Sequence, residues 1–144
     1  MSSVINGLLH QVAEVIESTT PMQDQQRGFT HCPDATSSMA HRHFDVRLSH
    51  AGPVDNQLWS AAGRYLQRIG LHIRIAYRNS GACLSTSIIT AEDATVLQES
   101  LLAASYSAAG MRGKPLWRGY TLNWNRDWVV ATLRFELSYQ EDAP

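Results

Sequence analysis

Between positions 31 and 50 stand five histidine or cysteine residues, side chains that ligate metals: His31, Cys32, His41, His43 and His50. His41 and His43 stand two apart, so an extended strand would put both imidazoles on one face, a geometry that can chelate zinc. No Cys-x-x-Cys pair and no carboxylate–histidine signature accompanies them. Histidines in a polar loop or at a strand end read first as surface residues. The expectation is therefore no metal and no cofactor. A metal-dependent enzyme centred on His41 and His43 stays open as the least favoured alternative.

Other catalytic chemistry finds less support. The chain has no Gly-x-Ser-x-Gly elbow, and neither Cys32 nor Cys83 has an activating context visible in sequence. The glycine- and lysine-containing stretch at 110–114 lacks the length and the Ser/Thr of a phosphate-binding loop. Glu92 and Asp93 read as charges at a helix start rather than as an acid–base pair. On this census the protein is not an enzyme and has no catalytic residue.

A second group of residues is suited to recognition. Asp45 and Arg47, then His72, Arg74 and Arg78, then Arg134 and Glu136 fall on the polar side of alternating segments and would share one sheet face. Such a face is either solvated or a wall against a neighbouring molecule, with mixed-sign charge pairs. Trp59, Trp117, Trp124 and Trp128 are many tryptophans for so small a core, and aromatic residues are enriched at interfaces. Candidate subunit-interface residues are Arg47, Trp59, Arg74, Arg78, Arg134 and Glu136.

These residues need a scaffold, and hydrophobic periodicity supplies one. Residues 118–140 carry the strongest signal. Tyr120, Leu122 and Trp124 alternate with polar residues, Asn125-Arg126-Asp127 interrupts, and Val129, Ala131, Leu133, Phe135, Leu137 and Tyr139 resume the alternation. This predicts a hairpin with one covered face, its tip between Trp124 and Trp128. Residues 42–49 and 71–78 read as strands of the same kind, with Phe44, Val46 and Leu48, and Leu71, Ile73, Ile75 and Tyr77, pointing inward. The stretch His50-Ala51-Gly52-Pro53 reads as a turn, and a short strand is expected near Phe29. Residues 54–70 fit a helix face or a ragged strand, and are read as a loop grading into strand near Tyr65.

Two helices complete the pattern. Residues 4–17 place Ile5, Leu9, Val12 and Ile16 on one stripe, widened by Leu8 and Val15, with Ser2 or Ser3 as cap and Thr19-Thr20-Pro21 as stop. Thr90 reads as the N-cap of a second helix running to about Tyr106 and burying Ala94, Leu97 and Leu101. The order is helix, strand, strand, helix, strand, strand. The expected fold class is α+β: a single domain over 1–144, a mainly antiparallel sheet with two helices packed on one face, and a long loop within the first hairpin.

Composition sets outer bounds. A chain of 144 residues suits one domain with its own core. A net charge of −1 gives no general affinity for nucleic acid. Eleven of the twelve basic residues are arginine, which suits protein interfaces and equally a GC-rich coding sequence. Two isolated cysteines make no disulfide framework, and a reduced intracellular setting is the simpler expectation. Neither a signal peptide nor a membrane span is expected.

The order of elements, with the amphipathic first helix, the strands around Phe44 and Tyr77, the helix from Thr90 and the closing strand Ala-Thr-Leu-Arg-Phe-Glu-Leu-Ser-Tyr-Gln-Glu, resembles the small tail-terminator and neck (head–tail joining) proteins of long-tailed bacteriophages. The resemblance implies a non-enzymatic virion protein, assembled in the host cytoplasm. It also implies a homo-oligomeric ring, commonly a hexamer, in contact with other head–tail or tail-tube proteins. DNA would pass through its lumen without sequence-specific binding. Ring closure by head-to-tail contact requires two different complementary surfaces on each subunit. A monomeric ligand- or peptide-binding α+β module, using an open sheet face and aromatics such as Tyr77 and Trp124, is the alternative from another class.

Overall fold

The two longest alternating stretches in the chain turn out to be partners. In the computed structural model, which describes residues 3–23, 28–32, 40–53, 64–79, 83–104, 106 and 115–142, strands β3 (Arg64–Arg78) and β5 (Trp128–Asp142) run antiparallel along their full length. Ile69, Leu71, Ile73, Ile75 and Tyr77 stand directly opposite Leu137, Phe135, Leu133, Ala131 and Val129. All ten are buried. Matched alternation on two neighbouring strands fixes the register, because a slip of one residue would turn every apolar side chain to the wrong face.

The remaining strands flank this pair. β2 (His43–Pro53) lies antiparallel to β3, and β4 (Leu116–Trp124) lies antiparallel to β5. A two-residue strand β1 (Thr30–His31) pairs parallel to β2, giving the order β1-β2-β3-β5-β4. Helices α1 (Ser3–Glu17) and α2 (Cys83–Ala103) precede β1 and β4. The fold is α+β with a mostly antiparallel sheet. Ile5, Leu8, Val12 and Ile16 of α1 and Leu97 and Leu101 of α2 join the apolar strand residues in one buried cluster. Full burial of a side chain of this size contributes roughly 1.5–3 kcal/mol.

Several expectations need correction. The second helix begins at Cys83, not Thr90, so Thr90 lies mid-helix and its hydroxyl donates back to the Ser87 carbonyl at 2.9 Å. It ends at Ala103 rather than near Tyr106. The segment 50–53 is not a turn; it continues β2, pairing with β3 from His50↔Gly70 to Pro53↔Gln67. Leu48 does stand opposite Leu71, yet it remains 36% exposed on the outer strand. Of the ambiguous stretch, 64–70 is strand; residues 54–63, Trp59 among them, lie outside the described residues.

The largest correction concerns Arg42, expected to open a strand. It is fully buried in a turn, with a left-handed backbone at φ 62°. That conformation is uncommon for a residue with a side chain and persists only where its surroundings hold it. Here the Arg42 amide donates to the Ala76 carbonyl at 2.7 Å, and the Arg42 carbonyl accepts from Thr30 at 3.1 Å. The guanidinium Nε and Nη2 donate to the two oxygens of Asp93, at 2.8 and 3.2 Å, and Nη2 also reaches the Gln23 carbonyl at 2.9 Å. Tyr77 donates its hydroxyl to the same carboxylate at 2.9 Å, and Phe29 lies over the guanidinium at 5.8 Å.

Removing one partner from a buried ion pair leaves an uncompensated charge, so Asp93→Ala should cost about 3–5 kcal/mol. Thr95→Ala, exposed on the same helix, should stay within about 0.5 kcal/mol; chemical denaturation of the two variants checks this. Burial, then the charge of Asp93, pushes the Tyr77 hydroxyl well above its ordinary value, and burial raises Tyr106 as well. Both tyrosines resist ionisation only when folded, so their contribution is complete below about pH 10 and lost as pH rises beyond it. In an alkaline denaturation series, Tyr77→Phe should reduce that loss without abolishing it.

Candidate functional site: the charged sheet face

The face opposite the core carries the charged residues singled out by alternation. Their rows follow from the register. Asp45, Arg74 and Thr132 stand side by side on β2, β3 and β5; Arg47, His72 and Arg134 form the next row; His50, Gly70 and Glu136 the one after. Strand neighbours lie about 4.8 Å apart, so each row is a line of side chains in reach of one another.

Two kinds of electrostatic site alternate along the face. Asp45 is nearly buried and receives both Nε and Nη2 of Arg74, at 3.0 and 2.6 Å, while Arg47 approaches at 3.7 Å. Glu136 is held by Arg118 from β4, with Arg68 from β3 at 3.6 Å. Between these two neutralised carboxylates lies the row Arg47–His72–Arg134, whose members are all basic. Arg134 reaches Thr121 only at 3.5 Å. Burial, then Arg134 and His50, hold the His72 imidazole below its ordinary value, so the neutral ring is favoured near neutrality.

Two β-bulges bracket this row. In β2 the register shifts between Leu48 and His50, leaving Ser49 as the extra residue. In β4 it shifts between Trp117 and Tyr120, so Arg118 and Gly119 together oppose Arg134. Gly119 has φ 87°, a conformation glycine adopts at little cost. Leu48, Leu71, Phe135 and Trp117 form a single row, so both bulges begin at the same level of the sheet. The first turns the His50 ring over Gly70: a Cβ built there would meet the imidazole at 2.1 Å. A cleft of about 70 Å³ results, lined by Ser49, His50, Gly70, His72, Arg118, Arg134 and Glu136 and floored by Leu71 and Phe135.

Of the six expected interface residues, Arg47, Arg74, Arg134 and Glu136 come together on this face. Arg78 is exposed at the end of β3, beside Asp127 and Trp128, and Trp59 lies outside the described residues. Sequence reading missed Arg68 and Arg118 as partners of Glu136, and missed His50, which it assigned to a turn. Gly70 was the available signal, since a glycine inside a strand pattern marks a bulge or a close approach.

The histidine cluster takes a different form from the expected one. The left-handed residue between His41 and His43 breaks the extended geometry that would have set their rings on one face. His41 packs edge-on against Tyr77 at 5.7 Å, and His31 against Phe44 at 5.3 Å. Among the described residues no three His, Cys, Asp or Glu side chains gather closely enough to hold a metal ion. No helix among them is long and apolar enough to cross a membrane. No protein-family model matches the chain, and no curated protein matches it.

Asp45 is the acceptor on which the polar rows depend. Asp45→Asn should keep the fold but weaken it by about 1.5–3 kcal/mol, the scale of a hydrogen bond to a charged group. Arg118→Gln, whose partner contact is more exposed, should cost under about 1 kcal/mol. Urea titrations of the two variants compare them directly.

Proposed function

We propose that this protein is a structural subunit that closes head-to-tail into a ring, of the tail-terminator or neck type found in long-tailed bacteriophages. In that reading it is a virion component and not an enzyme. It assembles in the host cytoplasm, as a hexamer, against other head–tail or tail-tube proteins, with DNA passing through the lumen without sequence-specific contacts.

The observation that supports this reading best is the difference between the two flanks. α2 touches β3 and β4, whereas α1 touches β1 and β2. On the α2/β4 flank, Leu84, Ile88, Leu102, Leu116 and Trp124 are exposed, Leu84 by 75%. Leu84, Ile88, Ala91, Thr95 and Leu102 form a stripe along α2, which has apolar residues on more than its core-facing side. A helix apolar on two sides is suited to burial on two sides. β4 is also the outermost strand, with unpaired backbone groups along its outer edge among the described residues. On the other flank β1 covers only the first residues of β2. The rest of β2 presents Arg47, Leu48 and Ser49. Two unlike open flanks on one subunit are what heterologous contact requires.

Light scattering across a concentration series, with negative-stain imaging, tests the proposal. A closed ring, or ring formation on purified tail tubes, is expected. Ile88→Asp combined with Leu102→Asp should reduce the assembly to monomers while leaving circular dichroism unchanged. A protein that stays monomeric at high concentration and also fails to load onto tail tubes would overturn the reading.

A further inference from the structure

The cleft between the two bulges has a composition that subunit assembly does not explain. We propose that it binds one tetrahedral oxyanion of the phosphate class, held by the His50 and His72 imidazoles and the Arg134 guanidinium, with Arg118 at the rim. This inference is independent of the ring: it concerns a pocket within one subunit and is measured on whatever oligomer the protein forms.

Charge is the first argument. Five guanidiniums, those of Arg47, Arg68, Arg74, Arg118 and Arg134, share this face with two carboxylates, Asp45 and Glu136, in a chain whose net charge is −1. Both carboxylates are already engaged by arginine. The row Arg47–His72–Arg134 sets three basic residue types side by side on three adjacent strands, with Arg47 already paired to Asp45 and Arg134 bonded only to a hydroxyl, that of Thr121, at 3.5 Å. Arg68 adds a buried Nε that has no hydrogen-bond acceptor, although Glu136 lies nearby.

Shape is the second argument. The backbone is modified on both sides of the cleft, by the extra Ser49 in β2 and by the Arg118–Gly119 pair in β4, and such bulges re-aim side chains. Gly70 leaves the space that the His50 ring occupies. The resulting cleft, about 70 Å³, is open on one side and on the scale of a single oxyanion group. Basic side chains line the cleft from four strands, His50 from β2, His72 from β3, Arg118 from β4 and Arg134 from β5, and guanidinium and imidazolium groups form charge-assisted bonds to phosphate oxygens.

The chemistry predicts linked proton uptake. The charged and titratable groups lining the cleft are His50 from β2, His72 from β3, Arg118 from β4, and Arg134 and Glu136 from β5; Asp45, Arg47, Arg68 and Arg74 lie elsewhere on the same sheet face. Among these residue types only histidine ordinarily changes charge between about pH 5 and 8. Burial, Arg134 and His50 favour neutral His72, and a bound dianion reverses that preference. Inorganic phosphate changes its own charge in this range, so the linkage is read with sulfate, a tetrahedral dianion throughout: its binding should draw a proton from solution and weaken as pH rises from about 6 to 8, by roughly tenfold.

Isothermal titration with inorganic phosphate at constant ionic strength measures affinity, and the same titration with sulfate, in two buffers of different ionisation enthalpy, measures proton uptake. Saturable binding with proton uptake is expected for the unmodified protein. Arg134→Gln should weaken it by about tenfold or more. Gly70→Ala, whose new methyl group displaces the His50 ring, should weaken it several-fold, and Arg78→Gln, outside the cleft, should leave it unchanged. Absence of saturable phosphate binding overturns the proposal whether or not the variants fold. So does equal affinity for acetate, which would make the site a carboxylate site. Equal binding by folded Arg134→Gln and Gly70→Ala proteins would reduce the signal to nonspecific ion association and overturn it as well.

Discussion

The Arg42–Asp93 pair is the interaction on which the arrangement of elements depends. Both groups are almost completely buried. A buried pair of charges is tolerable only when its hydrogen bonds are nearly complete. Arg42 meets that condition by drawing on the Gln23 carbonyl, and Asp93 by accepting from Tyr77. The four groups come from the segment after α1, the turn before β2, the strand β3 and the helix α2. Each must be in position before the others are satisfied, so the pair specifies geometry more than it adds stability. The left-handed backbone of Arg42 follows from the same requirement. It lets the main chain bond to Ala76 and Thr30 while the side chain turns under the sheet.

That lock lies on the covered side and leaves the opposite side free to carry charge. On the covered side, apolar residues fill one continuous cluster, while Arg42 and Tyr77 bond to Asp93, and Thr19 and Thr90 bond back to carbonyls of α1 and α2. On the opposite side, arginines outnumber carboxylates, and alternate rows are neutralised or left basic. The bulges in β2 and β4 belong to this second organisation. They do not disturb the ladder between β3 and β5, which continues in register from end to end. A stiff central pair flanked by irregular outer strands allows side chains to be re-aimed without loss of the core.

The assembly reading and the oxyanion reading use different parts of this molecule. Assembly draws on the flanks, where α2 and the outer edge of β4 expose leucine, isoleucine and tryptophan. Anion binding draws on the charged face between the flanks, meeting them only at Ser49 of β2 and Arg118 of β4.

Alternation alone determined the strands at 43–49, 71–78 and within 118–140, though not the turn at Arg42, together with the inward set from Leu71 to Tyr77 and the hairpin tip between Trp124 and Trp128. Period-two burial is a local consequence of strand geometry, so it is legible residue by residue. The first helix was legible for the same reason, since its apolar stripe repeats at helical spacing. The start of α2 was not, because Thr90-Ala91-Glu92-Asp93 imitates a capping sequence. Asp93 is in fact retained in the helix interior by Arg42, 51 positions away. Similarly, His50-Ala51-Gly52-Pro53 has the composition of a turn, and only pairing with residues 67–70 of β3 extends it as strand. The charged face could be anticipated as a set of outward residues. Which arginine neutralises which carboxylate, and which row stays basic, was decided by cross-strand register and by two bulges. Those depend on contacts between residues distant in sequence, and only the tertiary structure supplies them.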